Sequence, residues 1–313
     1  MSKGLTDTNF IISMPTASHW NWKVAFYLYG AGTSAGLIFL ELVLRGLNVV
    51  DERTALWGMW IGLALALLSL AMLFDHLGPG ARWSFLYVFR KPATSWIARG
   101  AIIVTVLVFL RIMVLLQSVP GFEGLPWSEG SVSGLLLRGA VLFFAAAFMA
   151  YSGLVLSSWN SIAFWNTPLL PILYVGYSFL GGMAALPLIV RLIGWEQSLE
   201  IMGAVFWPAL LALLVINAAL LLLYLWGMSS ATLPARESVR RLVRGQHRLS
   251  FWIGIVGIGL ALPAVIVSLV VIGEWGSGTM ATAVLLAACA AVQVGGFLLR
   301  DNFLRVGVYG YPL

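Results

Sequence analysis

Eight stretches of the chain are each apolar over about 20 residues, the length an α-helix needs to cross the hydrocarbon of a bilayer. They cover residues 24–44, 55–75, 97–117, 135–158, 167–189, 202–227, 250–273 and 279–299. Backbone N–H and C=O groups find no water at that depth, so such stretches must be helical. The expected fold is therefore an all-α integral membrane protein, one polytopic domain over 1–313 with eight transmembrane helices. Composition excludes the soluble alternative, with 61% hydrophobic and only 10% charged residues where a soluble domain carries about a quarter charged. No internal repeat stands out and no segment reads as a separate soluble domain.

Eight spans return both termini to one side, called here the terminal side. It receives Lys3, Lys23, Arg82, Arg90, Lys91, Arg99, Arg236, Arg240, Arg241, Arg244, Arg248, Arg300 and Arg305, thirteen of the eighteen cations. The other side receives Arg45, Arg53 and Arg191, with Arg111 and Arg138 just inside its spans. Cytoplasmic loops carry the excess of Lys and Arg, so the terminal side is expected in the cytoplasm of a bacterial cell. The net charge of +6 is thus a topology signal and no sign of nucleic acid. Tryptophans flank both faces, Trp20, Trp22, Trp83 and Trp96 on one and Trp57, Trp60, Trp127 and Trp275 on the other, as an interfacial aromatic belt does. The opening "MSKGLTDTNFIISMPTASHWNWK" lacks the parts of a cleaved signal peptide, so span one is expected to act as the insertion signal.

Within the spans, small residues in "YGAGTSAG" suit close helix packing in span one. Span five holds Pro168, Pro171, Gly176, Gly181 and Gly182, a composition expected to break the helix where neighbours satisfy the freed backbone. Charge at membrane depth is costly and marks a candidate site. Glu41, Arg111 and Arg138 lie toward the far face, where a structural ion pair competes with a proton path as the explanation. Asp75 ends span two and Arg99 opens span three on the terminal side, and an ion pair between them is one expectation. Asn217 and Gln293 lie deeper, suited either to bridging helices by hydrogen bonds or to holding water along that path.

The three histidines and the single cysteine, Cys289, bound the chemistry. One cysteine builds neither an iron–sulfur cluster nor an internal disulfide, and the set does not suit a soft-metal transporter. His19 and His76 share the terminal side and suffice for one haem between them, but a stack of two haems lacks ligands. His19 has another use. Tyr151 lies about two turns inside span four from the same side, and a histidine, a tyrosine and an acid near one interface can bind a quinone and protonate its two carbonyls. An interfacial histidine and a packing tyrosine explain the same residues without any ligand.

Four segments resemble the polysulfide reductase membrane subunit family, also called the NrfD/PsrC family. They are "HWNWKVAFYLYGAGTSAGLIFLELVL", "DHLGPGARWSFLYVFRKPATSWIARGA", "YSGLVLSSWNSIAFWNTPLLPILYVGYSFLGGMA" and "FLLRDNFLRVGVYGY". They fall in order along most of the chain, and the third is the most specific. Gly78 stands where the family has Arg before Pro, and Ala163 or Phe164 where it has Pro before Trp-Asn. The resemblance implies two four-helix bundles, no haem, and a site for menaquinone or ubiquinone in the first part of the chain, with His19, Tyr151, Asp75 and Arg99 at quinone-contact positions. It implies as partners a ferredoxin-like iron–sulfur subunit and a molybdenum or tungsten catalytic subunit, which carry the iron–sulfur clusters and molybdopterin. The chain would then be a non-autonomous subunit that exchanges electrons with the quinone pool. No residue of its own is assigned as catalytic or metal-binding, and Glu41, Arg111, Asn217 and Gln293 are the candidates for a proton path. In well-known members the catalytic subunits lie outside the cytoplasm, whereas the charge count here puts the corresponding face inside. The alternatives are a secondary transporter, for which broken spans and buried charges would be the signature, and a passive anchor.

Overall fold

The computed structural model describes residues 20–78, 83–90, 92–122, 124–128, 130–194, 197–273 and 278–310. Among these, eight helices are long and apolar enough to cross a membrane, as the hydropathy pattern requires. We number the helices α1 (Trp22–Gly46), α2 (Glu52–His76), α3 (Trp96–Leu116), α4 (Val132–Ser157), α5 (Leu169–Leu192), α6 (Gln197–Ser230), α7 (Leu233–Val243), α8 (Ser250–Val271) and α9 (Thr279–Arg305). All but α7 span. A short 3-10 helix, Trp83–Arg90, lies between α2 and α3. The first four spans start at polar caps that satisfy an otherwise orphaned N–H. Asn21 accepts from Lys23 N, Asp51 from Thr54 N, Ser95 from Ala98 N and Ser131 from Gly134 N.

The packing forms two rings of four. α1, α2, α3 and α4 close one ring by the contacts α1–α2, α2–α3, α3–α4 and α4–α1; α5, α6, α8 and α9 close the other by α5–α6, α6–α8, α8–α9 and α9–α5. The rings meet through α1 and α5, and these are the most buried spans, with 72% of each apolar stretch buried against 28% for α6. Small residues make this seam possible. A Cβ on Gly36 would overlap the Ser178 backbone, and one on Gly182 would overlap that of Gly36 and Leu37. The two helices therefore cross backbone to backbone, where dispersion and weak polar contacts replace the hydrophobic effect that bilayers do not supply.

Two expectations are corrected. Span five is one continuous helix: Pro168 is its N-cap, Pro171 sits in the first turn, and Pro187 lies within the helix near its far end. Proline in the first turn removes an N–H that has no helical partner anyway. The irregular span is instead α8, whose first part, Ser250–Ala261, is π-helical and returns to α-helix at Leu262, just before Pro263. The second correction concerns the last span. α9 runs on to Arg305, which draws Arg300 inside the protein.

α7 was hidden in a segment noticed for its charge alone. Ala235, Ser238 and Leu242 are its buried face, and Glu237 pairs with Arg240 at 2.6 Å and Arg241 at 2.9 Å. It is a short amphipathic helix at the terminal side, with Pro234 in its first turn where proline is tolerated.

Candidate functional site

The terminal-side mouth of the first ring gathers most of the residues expected there. Lys23, the second residue of α1, reaches across to Asp75 near the end of α2 with Nζ–Oδ2 at 2.5 Å. The pair is partly exposed, with side-chain exposures of 30% and 49%, so it sits at the rim where protons from water can reach it. Four residues further along the same face of α1, Tyr27 is buried, and its hydroxyl lies close enough to that of Tyr151 on α4 for the two to interact. The Tyr151 ring stacks on Phe148 with centroids 6.2 Å apart. It lies over Gly100 of α3, where any Cβ would occupy the ring's own volume. The glycine is thus what admits the tyrosine to the centre of the ring of helices.

Arg99 does not pair with Asp75. Its guanidinium donates to the carbonyls of Pro92 at 3.0 Å and Ala93 at 2.5 Å and stacks over Trp96 at 4.6 Å. It therefore shapes the loop that leads into α3, one residue before the glycine that carries Tyr151. His19, Arg82 and Lys91 lie outside the described residues. The neighbour of His19, Trp20, is held edge-on between Trp159 and Trp165, both at 5.6 Å. Trp165 donates to the Phe303 carbonyl at 2.8 Å, and Tyr224 donates to the carbonyl of Phe164. The "AFWN" stretch is thus a hub that ties the α4–α5 connection to α6 and α9.

The four residues considered for a proton path do not form one row. Glu41 and Arg111 are an ion pair between α1 and α3, both side chains fully buried. Glu41 Oε2 and Arg111 Nε and Nη1 have no hydrogen-bond partner. Arg138 of α4 donates to Gln117 Oε1 at 3.4 Å. In the other ring Asn217 of α6 donates to the Gly176 carbonyl at 3.1 Å. Gln293 of α9 accepts from Tyr29 at 2.8 Å and donates to the Gly181 carbonyl at 2.9 Å. Side chains of α6 and α9 thus dock on backbone oxygens of α5.

Sequence reasoning placed Arg300 on the face and missed its setting. Only 1% exposed, it donates to the carbonyls of Gly296 and Tyr174 at 3.3 and 3.4 Å. Its guanidinium lies 4.9 and 5.2 Å from the rings of Tyr174 and Tyr177. Tyr27 and Lys23 were also missed as partners. Their i, i+4 spacing, which puts both on one helix face, was the available signal. Among the described residues no three of His, Cys, Asp and Glu lie close enough to hold a metal ion.

The family model described as "Polysulphide reductase, NrfD" matches residues 11–308. The sequence is 28% identical over 316 positions to Protein NrfD of Escherichia coli, covering 92% of this chain and 94% of that protein. It is 28% identical over 274 positions to the C subunit of the polysulfide reductase of Wolinella succinogenes, covering 79% and 82%. A Protein NrfD homolog of Haemophilus influenzae is 22% identical over 263 positions, with the same two coverages of 79% and 82%.

Proposed function

The chain belongs to the polysulphide reductase NrfD family, and from that premise we propose that it is the quinone-reactive membrane subunit of a multi-subunit oxidoreductase. The observation that carries the reading is the graded polar mouth of the first ring: the Lys23–Asp75 pair at the rim and the Tyr27–Tyr151 pair buried beneath it. A quinone needs a hydrogen-bond donor at one carbonyl, a route for protons from water, and an otherwise apolar berth. Tyr151, presented by Gly100, is the donor in this reading. The Lys23–Asp75 pair relays protons from the aqueous face, and Arg99 holds the loop between them. His19 is the proposed donor to the second carbonyl.

Reduction of a quinone takes two electrons and two protons. One cysteine cannot hold an iron–sulfur cluster, so in this reading electrons pass between the quinone, menaquinone or ubiquinone, and the clusters of a docked iron–sulfur subunit. A molybdenum or tungsten subunit completes the complex. The same face is dressed for docking, with Trp22 half exposed, Tyr87 57% exposed and Arg90 stacked on Tyr87 at 4.3 Å. We place this face and both termini in the cytoplasm on the charge count. The broken fifth span on which the transporter reading drew is one continuous helix.

The test is quinone-dependent turnover of the intact complex. Tyr151→Phe removes one hydroxyl and is expected to lower turnover by roughly 100-fold or more with subunit composition unchanged. His19→Ala is expected to do the same. Full turnover in both variants would reduce the protein to a passive anchor. In vesicles, unchanged proton translocation in Glu41→Gln would remove the buried pair from any proton path.

A further inference from the structure

The turn that carries the chain from α7 into α8 has an arginine at each end. Arg244 is the C-cap of α7. Arg248 stands just before α8, its N–H on the Gly245 carbonyl at 3.2 Å. Both residues are exposed. The acids at this end of the molecule are already engaged: Glu237 holds Arg240 and Arg241, and Asp301 holds Arg305 at 2.7 Å. Among the described residues neither the Arg244 nor the Arg248 side chain has a hydrogen-bond or ionic partner. Two cations are thus left on one short turn with no protein group of opposite sign to meet them.

What lies next to them on α8 says what does meet them. Trp252, one turn on from Arg248, spends its only N–H on the Val243 carbonyl at 3.1 Å. That bond ties the start of α8 to the last turn of α7. The rest of the indole is apolar and more than half exposed, as are Leu249 and Ile253. Farther along the span, Leu262 and Val265 are exposed as well. A bare apolar flank on a spanning helix faces acyl chains. The end of that flank, where a tryptophan sits, is at headgroup depth. Phosphate suits the two arginines there, because a guanidinium offers it paired N–H donors. An acidic soluble protein would answer the charges and leave the apolar flank beside them uncovered. A zwitterionic headgroup would bring its own cation against theirs. We propose that Arg244 and Arg248 bind the phosphate of an anionic phospholipid in the terminal-side leaflet, with its acyl chains along Leu249, Trp252 and Ile253. The proposal is independent of the quinone reading.

The experiment strips the intact complex of lipid in detergent and titrates it with dioleoyl phosphatidylglycerol, dioleoyl phosphatidylcholine and glycerol phosphate. Bound molecules are counted by native mass spectrometry. Phosphatidylglycerol is expected to bind about tenfold more tightly than phosphatidylcholine. Arg244→Gln and Arg248→Gln should each weaken phosphatidylglycerol about fivefold, and the double variant roughly 25-fold, with phosphatidylcholine unchanged. The single variants keep the test open should the double variant not assemble. Arg240→Gln, at an arginine already paired with Glu237, should change the affinity by less than about twofold. An equal loss in Arg240→Gln would reduce the effect to diffuse surface charge and overturn the proposal. Equal binding of the two lipids would overturn it too. Glycerol phosphate bound as tightly as phosphatidylglycerol would show that the apolar flank takes no part. A double variant that sheds a soluble subunit and still binds phosphatidylglycerol like the wild type would give this corner to an acidic protein instead.

Discussion

The two rings each bury an arginine, and they treat it differently. In the first, Arg111 faces Glu41, and the two charges cancel in a fully buried pair. In the second, Arg300 has no carboxylate among its bonds. It rests on the carbonyls of Gly296 and Tyr174 and between two tyrosine rings. An ion pair ties two helices together but leaves each partner dependent on the other, because removing one strands a charge in a medium that solvates it poorly. A cage of carbonyl dipoles and ring faces spreads the compensation over neutral groups. The first ring is thus brittle at one point, and the second is not.

The largest effect expected from this contrast is at the ion pair. Arg111→Met, with Glu41 retained, should lower stability by ~3–5 kcal/mol, read as a fall in melting temperature in detergent. The double variant Glu41→Met, Arg111→Met should recover most of that loss, since an apolar pair of similar volume replaces a buried ion pair at little cost. A double variant as unstable as the single one would show that the charges themselves hold the ring.

Arg300→Met sharpens the comparison from the other side. It removes two hydrogen bonds and two ring contacts but strands no opposite charge, so a loss of ~1–2 kcal/mol is expected. A loss as large as that of Arg111→Met would break the contrast between the rings and point to an unseen negative partner at Arg300.

The smallest effect belongs to the basic end of the second ring. Burial, helped by nearby Arg305 and opposed by Asp301, holds the His247 imidazole below the usual histidine range. The folded protein then binds its proton less readily than the unfolded protein does. The stability linked to this group is full above the unfolded value of about 6.5 and is lost as pH falls through it. The melting temperature should therefore be lower at pH 5.5 than at pH 7.5, and the difference should shrink in His247→Gln. An unchanged difference would exclude His247 as its source.

What could be read in the sequence is what bilayer physics imposes span by span. Length and hydropathy placed all eight spanning helices within a few residues, apart from the overrun of α9 to Arg305. The small residues of "YGAGTSAG" foretold a close crossing, and a pair between Glu41 and one of Arg111 and Arg138 was expected because unpaired charges at one depth are costly; the structure chose Arg111. Polar groups outside the deep core were harder to assign. Asp75 went to Lys23 and not to Arg99, since at an interface several partners cost nearly the same and local geometry chooses among them.

Proline in span five was read as a break, yet a proline in the first turn of a helix breaks nothing, and where the turn begins is set by the α4–α5 hub around Trp165. The sequence by itself determined that this protein is a bundle of eight membrane helices, because hydrocarbon tolerates no other way to satisfy its backbone. Only the tertiary structure decided which faces of those helices meet: Tyr151 over Gly100, and Arg300 between Tyr174 and Tyr177. Such contacts depend on how each helix is rotated against its neighbours. In a bilayer that rotation is set by close packing and a few hydrogen bonds, which the hydropathy of a single helix does not encode.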